Sequence, residues 1–430
     1  MTDLLGVIAT VAEAALAAYI GFYTLFLFVS VFFAGLYRLR RARGDRRETP
    51  APPSSRVAVL LPAYCAGQHF LRVVDAVCAQ DYPAGLVDVY VLAQRCPPEI
   101  VAATVARRVT VWERTFDDGT PGNPYLRALR WFVPEVVAEG TRRNRPYDML
   151  VLADKDNILA PDFLRRVEAP FRRGAAVVQG VRLPLNLDTT AASLDYVAEV
   201  TNDQMLRAAR AAMGLSAEIS GSGIAFRPSV WLAALSATDL DSPVMDKTTL
   251  LELLKLGAKI EYCPSARLYE EKTRSFAAIG AQRTRWVGGQ FYLARRHGLR
   301  AIRDGIVEGK ADLVDFGLAM WRPPRAIHAV SLVVLAAASW VWPVRWLPGP
   351  VAWIAMMVGY AASIFLMLAF ADAPVRVYRA LVLGAPRFAW TIVRATVRGF
   401  SHTIRGTFIH TEHARSLPAA PPATGSDAPR

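Results

Sequence analysis

Long uncharged apolar runs occupy both ends of the chain, and short apolar runs interleaved with helical patterns fill the middle. Ala14 to Tyr37 carries no charged residue over 24 positions, more than the ~20 residues a helix needs to cross a bilayer. A cleaved signal peptide would set positive charge ahead of its apolar run. Here Met1-Thr2-Asp3 supplies none and the arginines follow, so residues 1–37 are expected to form a retained transmembrane helix. Ala326 to Val344 and Gly349 to Ala371 are two further runs, parted by Pro343, Pro348, Gly349 and Pro350. Prolines and glycines in that arrangement end one helix and turn the chain, which predicts a two-helix transmembrane hairpin over 326–371.

In the middle, VAVLLP (57–62), VDVYVLA (87–93), VTVWE (109–113), DMLVLA (148–153) and AAVVQG (175–180) are continuous apolar runs. Such runs mark strands covered on both faces. Helical patterns separate most of them, which predicts an α/β fold with a mostly parallel sheet, its ligands bound at the carboxyl ends of the strands. Residues 38–55, six arginines followed by ETPAPPSS, read as a basic juxtamembrane linker, and 56–300 as the cytoplasmic domain. Residues 301–325 read as an interfacial segment. From 374 to 400, apolar stretches alternate with Arg376, Arg379, Arg387, Arg394 and Arg398. A helix buried in lipid would not tolerate these cations, so 372–416 is expected to be an interfacial amphipathic segment; a fourth span from about Leu381 is the alternative. The Pro-, Ala-, Gly- and Ser-rich tail 417–430 is expected to be disordered.

Charge narrows the partners. A net charge of +13 suits nucleic acid or a membrane surface. The densest basic run, Arg38 to Arg47, directly follows the first apolar stretch, which favours a membrane anchor and no nucleic-acid partner. Arg322 and Arg325 precede the hairpin and Arg376 and Arg379 follow it, while its connection carries only Arg345. The positive-inside bias then puts the hairpin tip outside and the middle domain in the cytoplasm, at the inner membrane. Four cysteines without a C-x-x-C pair argue against structural zinc. No G-x-G-x-x-G or G-x-x-x-x-G-K-[ST] follows the first strand, so the dinucleotide and P-loop readings lose their support.

Three constellations carry candidate chemistry. Asp154 and Asp156 leave DMLVLA two residues apart, which in an extended chain puts both carboxylates on one side. Paired hard oxygens suit Mg²⁺ or Mn²⁺, a diphosphate completing the shell; the bland alternative is a solvated turn with Asn157 as a cap. Asp246 heads a helical pattern and reads by itself as an N-cap. Gln282, Arg285 and Trp286 fall at i, i+3 and i+4, on one helix face. There an arginine can neutralise a diphosphate and an indole can stack on a sugar; an interfacial helix anchored by Arg and Trp is the alternative. The histidines show no ligand spacing, Glu270-Glu271-Lys272 reads as a solvated loop, and Asp117-Asp118-Gly119 as a turn.

Taken in order, VAVLLPAY (57–64), AQDYP (79–83), DKDN (154–157), PDF (161–163), VVQG (177–180), SGSGIAFR (220–227), YEEK (269–272) and QRTRW (282–286) resemble the family 2 glycosyltransferases. Within that family they resemble the membrane-embedded synthase-like branch of cellulose, chitin and hyaluronan synthases. The resemblance implies a Rossmann-like, GT-A type fold that binds a nucleotide sugar, with a UDP-sugar as the expected donor. It implies Ala63, Tyr64, Gln94 and Asp154 on the donor, Asp154 and Asp156 on Mg²⁺ or Mn²⁺, and Asp246, Gln282, Arg285 and Trp286 as catalytic residues. The implied reaction is inverting hexosyl or N-acetylhexosaminyl transfer to a glycan or lipid-linked acceptor at the membrane. Cys65-Ala66, Gln94 and Met245 depart from the family's usual Asn-Glu, Asp and Glu. These departures keep a second reading open, a catalytically degenerate subunit that organises an active synthase with complex partners.

Overall fold

The computed structural model describes residues 2–44, 52–344 and 347–405. Arg345, the arginines beyond Gly44, part of the predicted linker and the predicted tail lie outside the described residues. Eight strands form one sheet: β1 (Val57–Tyr64), β2 (Val87–Gln94), β3 (Thr110–Glu113), β4 (Met149–Leu152), β5 (Ile158–Leu159), β6 (Val177–Pro184), β7 (Ile224–Phe226) and β8 (Ile260–Glu270). Their order is β3-β2-β1-β4-β7-β6-β8-β5. The pairs β3/β2, β2/β1, β1/β4 and β6/β8 are parallel, whereas β7 runs antiparallel to both neighbours and β5 antiparallel to β8. All five predicted strands are present.

The continuous apolar runs serve two cores at once, because successive side chains of a strand point to opposite faces. Leu60, Tyr90, Leu150 and Leu152 pack on one face with Leu129 and Phe132 of helix Pro124–Arg142 and Leu250 and Leu253 of helix Met245–Lys255. Val59, Leu61, Val91 and Val151 pack on the other with Phe70 and Val74 of helix His69–Cys78 and Phe163 and Val167 of helix Phe163–Arg172.

The N-terminal helix Thr2–Gly44 outruns its uncharged stretch at both ends, so the first basic residues continue the helix instead of opening a linker. Ile20 and Leu27 pack with Leu332, Leu335, Trp353, Tyr360 and Met367 of helices Arg325–Val341 and Pro350–Phe370. Thr10–Ala42 and Pro350–Phe370 are long and apolar enough to cross a membrane; Ala311–Met320 and Arg325–Val341, bent by 69° at their break, make a third candidate if counted as one span. The C-terminal helix Val375–Arg405 lies along helix Phe276–Leu293 so closely that a Cβ on Gly399 would meet the Thr284 carbonyl at 2.8 Å.

Candidate functional site

The candidate residues gather where β1, β2 and β4 end. After β4 the chain turns instead of continuing extended: the Asn157 amide donates to the Asp154 carbonyl at 3.1 Å. The side chains on this turn are pinned from three directions. Lys155 Nζ donates to the Tyr64 carbonyl at 2.6 Å, Asn157 Nδ2 donates to Asp156 Oδ1 at 3.0 Å, and the Asp154 amide donates to Ser222 Oγ at 3.0 Å. The Ser222 hydroxyl in turn bonds Asn157 Oδ1. Fully buried Gln179 of β6 holds the Ser222 loop, accepting from the Ser220 amide at 2.8 Å and donating to the Ser222 carbonyl at 3.1 Å.

Tyr125 is the hub that sequence reasoning missed. Its hydroxyl donates to Asp154 Oδ1 at 2.9 Å, and it stands at the start of a helix capped by Asn123, whose Oδ1 accepts from the Tyr125 amide at 3.0 Å. Burial raises the Tyr125 hydroxyl well above its ordinary range, and the charges of Asp154, Asp156 and Asp246 raise it further. Asp154 thus touches the phenol directly, while Asp156 and Asp246 act on it through their charge. Asp154 itself is pushed up to about 7 by burial and by Asp156, against the Tyr125 hydrogen bond and the charge of Arg182. Two acids held this close, one of them strained towards neutrality, are a donor set that a divalent cation would relieve. Among the described residues no group of three or more His, Cys, Asp or Glu side chains forms a ready metal cage.

Asp246 lies in the first turn of helix Met245–Lys255, whose N-cap is Val244, so it is not the N-cap that its position in the sequence predicts. Gly221, at φ +85°, keeps the Ser220–Gly223 loop against it: a Cβ there would lie 3.9 Å from Asp246 Cβ. On helix Phe276–Leu293, Arg285 is depressed by burial while the nearby charge of Asp246 acts in the opposite sense. Gln282 Oε1 is buried without a hydrogen-bond partner. Trp286 carries the Arg283 guanidinium 4.5 Å from its ring centre, and Arg283 Nη2 bonds Asp195 Oδ1 at 2.6 Å, so part of the indole is already covered.

On the donor side, Tyr64 and Gln94 are paired neighbours at the ends of β1 and β2. Gln94 is buried, and Ala63 is fully buried with its carbonyl facing the Cys96 thiol at 3.4 Å. Asp117 joins them: its Oδ2 accepts from the Tyr64 hydroxyl at 2.9 Å and pairs with Arg95 Nε at 2.9 Å. Asp118, which accepts from the Thr120 amide at 3.1 Å, and Gly119, at φ +79°, form the predicted turn. The predicted solvated loop Glu270–Lys272 is likewise a correction. Lys272 is 2% exposed with Nζ 2.6 Å from Glu270, and Glu270 lies 3.2 Å from Arg182, whose Nη2 is 2.8 Å from Glu199. No local signal exposes these charges as buried, because their partners lie on β6 and on helix Thr190–Asp203.

The family model described as Glycosyltransferase like family 2 matches residues 52–289. No curated protein matches the chain. Among solved structures, a mannosyltransferase from Pyrobaculum calidifontis in complex with GDP-Man and Mn²⁺ is 18% identical, with 89% of this chain and 98% of that one covered and a TM-score of 0.49. Glucosyl-3-phosphoglycerate synthase from Mycobacterium tuberculosis, in complex with Mn²⁺, UDP and phosphoglyceric acid, is 17% identical, with 54% and 80% covered and a TM-score of 0.35. TarS from S. aureus is 11% identical, with 79% and 55% covered and a TM-score of 0.37.

Proposed function

The chain belongs to the glycosyltransferase family 2-like proteins, and from that premise we propose a metal-dependent, inverting transfer of a sugar from a nucleoside diphosphate to an acceptor at the cytoplasmic membrane face. The observation that carries this reading is the pinned turn after β4, where Tyr125 donates to Asp154 and Asn157 to Asp156, with the charge of Asp246 felt both by Tyr125 and by Arg285. Asp154 and Asp156 would hold Mg²⁺ or Mn²⁺, which when bound supplies charge neutralisation to the diphosphate. Asp246 takes the proton of the acceptor hydroxyl. The freed oxygen pair forms the bond to the anomeric carbon as the carbon–oxygen bond to the diphosphate breaks, and the configuration inverts. The broken bond's electrons leave on the diphosphate oxygen, where Arg285 adds a cation in a partly desolvated site. General-base help of this kind is worth ~10²–10⁴-fold.

Tyr64, Gln94 and Asp117 form the donor's nucleoside side, where Asp117 supplies a carboxylate at the mouth that Gln94 does not. The acceptor is a glycan or lipid-linked hydroxyl. The membrane reading rests on the apolar helices and on the C-terminal helix, which exposes Val375, Val382, Leu383, Trp390 and Val397 beside its arginines, the habit of a helix lying in a lipid interface. Membranes containing the full chain should transfer label from at least one of UDP-glucose, UDP-N-acetylglucosamine or GDP-mannose. Chelation should stop the transfer and Mn²⁺ restore it. Undiminished transfer in excess chelator would remove the metal from the account.

A further inference from the structure

Behind Asp246 runs a row of buried charges that the transfer reaction does not use. Lys247, the next residue, donates from Nζ to Glu218 Oε1. Glu218 Oε2 lies 3.3 Å from Arg210 Nη1, and Arg210 Nε lies 2.5 Å from Asp315 Oδ2. The Arg210 and Glu218 side chains are 5% and 6% exposed. Burial by itself would raise the Glu218 carboxyl, yet Lys247 and Arg210 hold it down to about 2.

Two features of the Asp246 helix make this row informative. Its N-cap, Val244, contributes no side-chain capping bond, and the start of the helix is held instead by Ser242 and by Thr248, whose Oγ1 donates to the Val244 carbonyl at 2.7 Å. A lysine in that turn also opposes the positive end of the helix dipole, an unfavourable place for a cation. Lys247 therefore stands where helix stability alone would not put it, and its partner Glu218 explains the placement.

The far end of the row reaches the membrane helices. Asp315 and Asp312 share helix Ala311–Met320, and Asp312 Oδ1 accepts from the Ser216 amide at 2.5 Å, gripping the segment that leads to Glu218. Tyr23 and Tyr19 of the N-terminal helix donate to the carbonyls of Leu318 and Trp321 at 2.7 and 2.6 Å. We propose that Asp315, Arg210 and Glu218 are positioning residues that hold Lys247, and with it the first turn bearing Asp246, at a place set by the membrane-embedded helices. The inference rests on Asp246 being the base and states what fixes it there. A displacement of ~1 Å from productive geometry can cost ~10²-fold in rate, so a charge relay between elements far apart in sequence is a sufficient device.

The test uses the full chain in lipid nanodiscs, comparing wild type with Glu218→Gln, Glu218→Asp and Lys247→Gln. Hydrogen exchange at the amides of Thr248 to Leu251 should quicken about tenfold in Glu218→Gln and Lys247→Gln, with the sheet unaffected, and should be partly restored in Glu218→Asp. With whichever of UDP-glucose, UDP-N-acetylglucosamine or GDP-mannose supports transfer, kcat should fall at least tenfold while the donor KM changes less than twofold. The double variant Glu218→Gln/Lys247→Gln should be no worse than the weaker single one. If Glu218→Gln loosens the whole domain, Lys247→Gln, at the exposed end of the row, decides alone. Unchanged exchange together with unchanged kcat in Lys247→Gln would overturn the proposal. Loss of the Asp246 role would show separately, as an Asp246→Asn variant with full turnover.

Discussion

Tyr125 shows at the residue scale how much of the site depends on one hydroxyl. It reaches Asp154 across two elements, and the charges of Asp154, Asp156 and Asp246 all act on it. Removing a donor from a buried, ionisable acceptor typically costs ~1–3 kcal/mol, and partners that orient a metal ligand commonly carry 10–100-fold in metal affinity. Tyr125→Phe should therefore raise the Mn²⁺ concentration for half-maximal transfer about tenfold or more, with little change in donor KM at saturating metal. A titration that superimposes on wild type would show that the hydroxyl does not orient Asp154. Asp154 itself was readable beforehand because its signal, two acids at a strand end, is local. Tyr125, Ser222 and Gln179 were not, because each contributes through a contact that closes only when distant segments meet.

At the scale of elements, the side chain of Val244, the N-cap of the Asp246 helix, packs against Gly289 of the helix of Gln282, Arg285 and Trp286. A Cβ on Gly289 would come within 2.2 Å of Val244 Cγ1, in rigid surroundings that have no flexible tip to move aside. Overpacking of this sort typically costs ~1–3 kcal/mol. Gly289→Ala should lower the melting temperature and also cut kcat about tenfold, because Val244 is the residue that starts the Asp246 helix. Full activity at a lowered melting temperature would mean that this contact supports the fold and not the base. The five long apolar strands and the late helix were legible from period and composition. The two- and three-residue strands β5 and β7 were not, since so short a run carries no pattern, and neither was β8, whose Glu261, Pro264 and Arg267 interrupt the apolar run over 11 residues. Glu270–Lys272 misled for a related reason: three charges in a row look solvated until Arg182 and Glu199 are brought beside them.

The whole molecule joins a sheet domain to apolar helices, two of them long and apolar enough to cross a membrane, and the proposed function assigns that assembly a sidedness. In the topology proposed above, the positive-inside bias of the arginines flanking the apolar helices puts residues 38–325 on the cytoplasmic side and Gly349 outside. A cysteine at Gly349 should react with an impermeant thiol reagent added to intact cells, and one at Ser54 should not, in a background where the native free cysteines are replaced. The opposite labelling would invert the orientation. The central claim is that Asp246 is the base, and the most direct measurement is the turnover of Asp246→Asn in the full membrane-bound chain. The substitution keeps the size of the side chain, exchanges one acceptor oxygen for an NH2 donor, and removes the charge and the ability to take a proton. The account predicts a kcat lower by about two or more orders of magnitude with donor binding nearly retained. Wild-type turnover from Asp246→Asn would contradict it and remove Asp246 from the role of base.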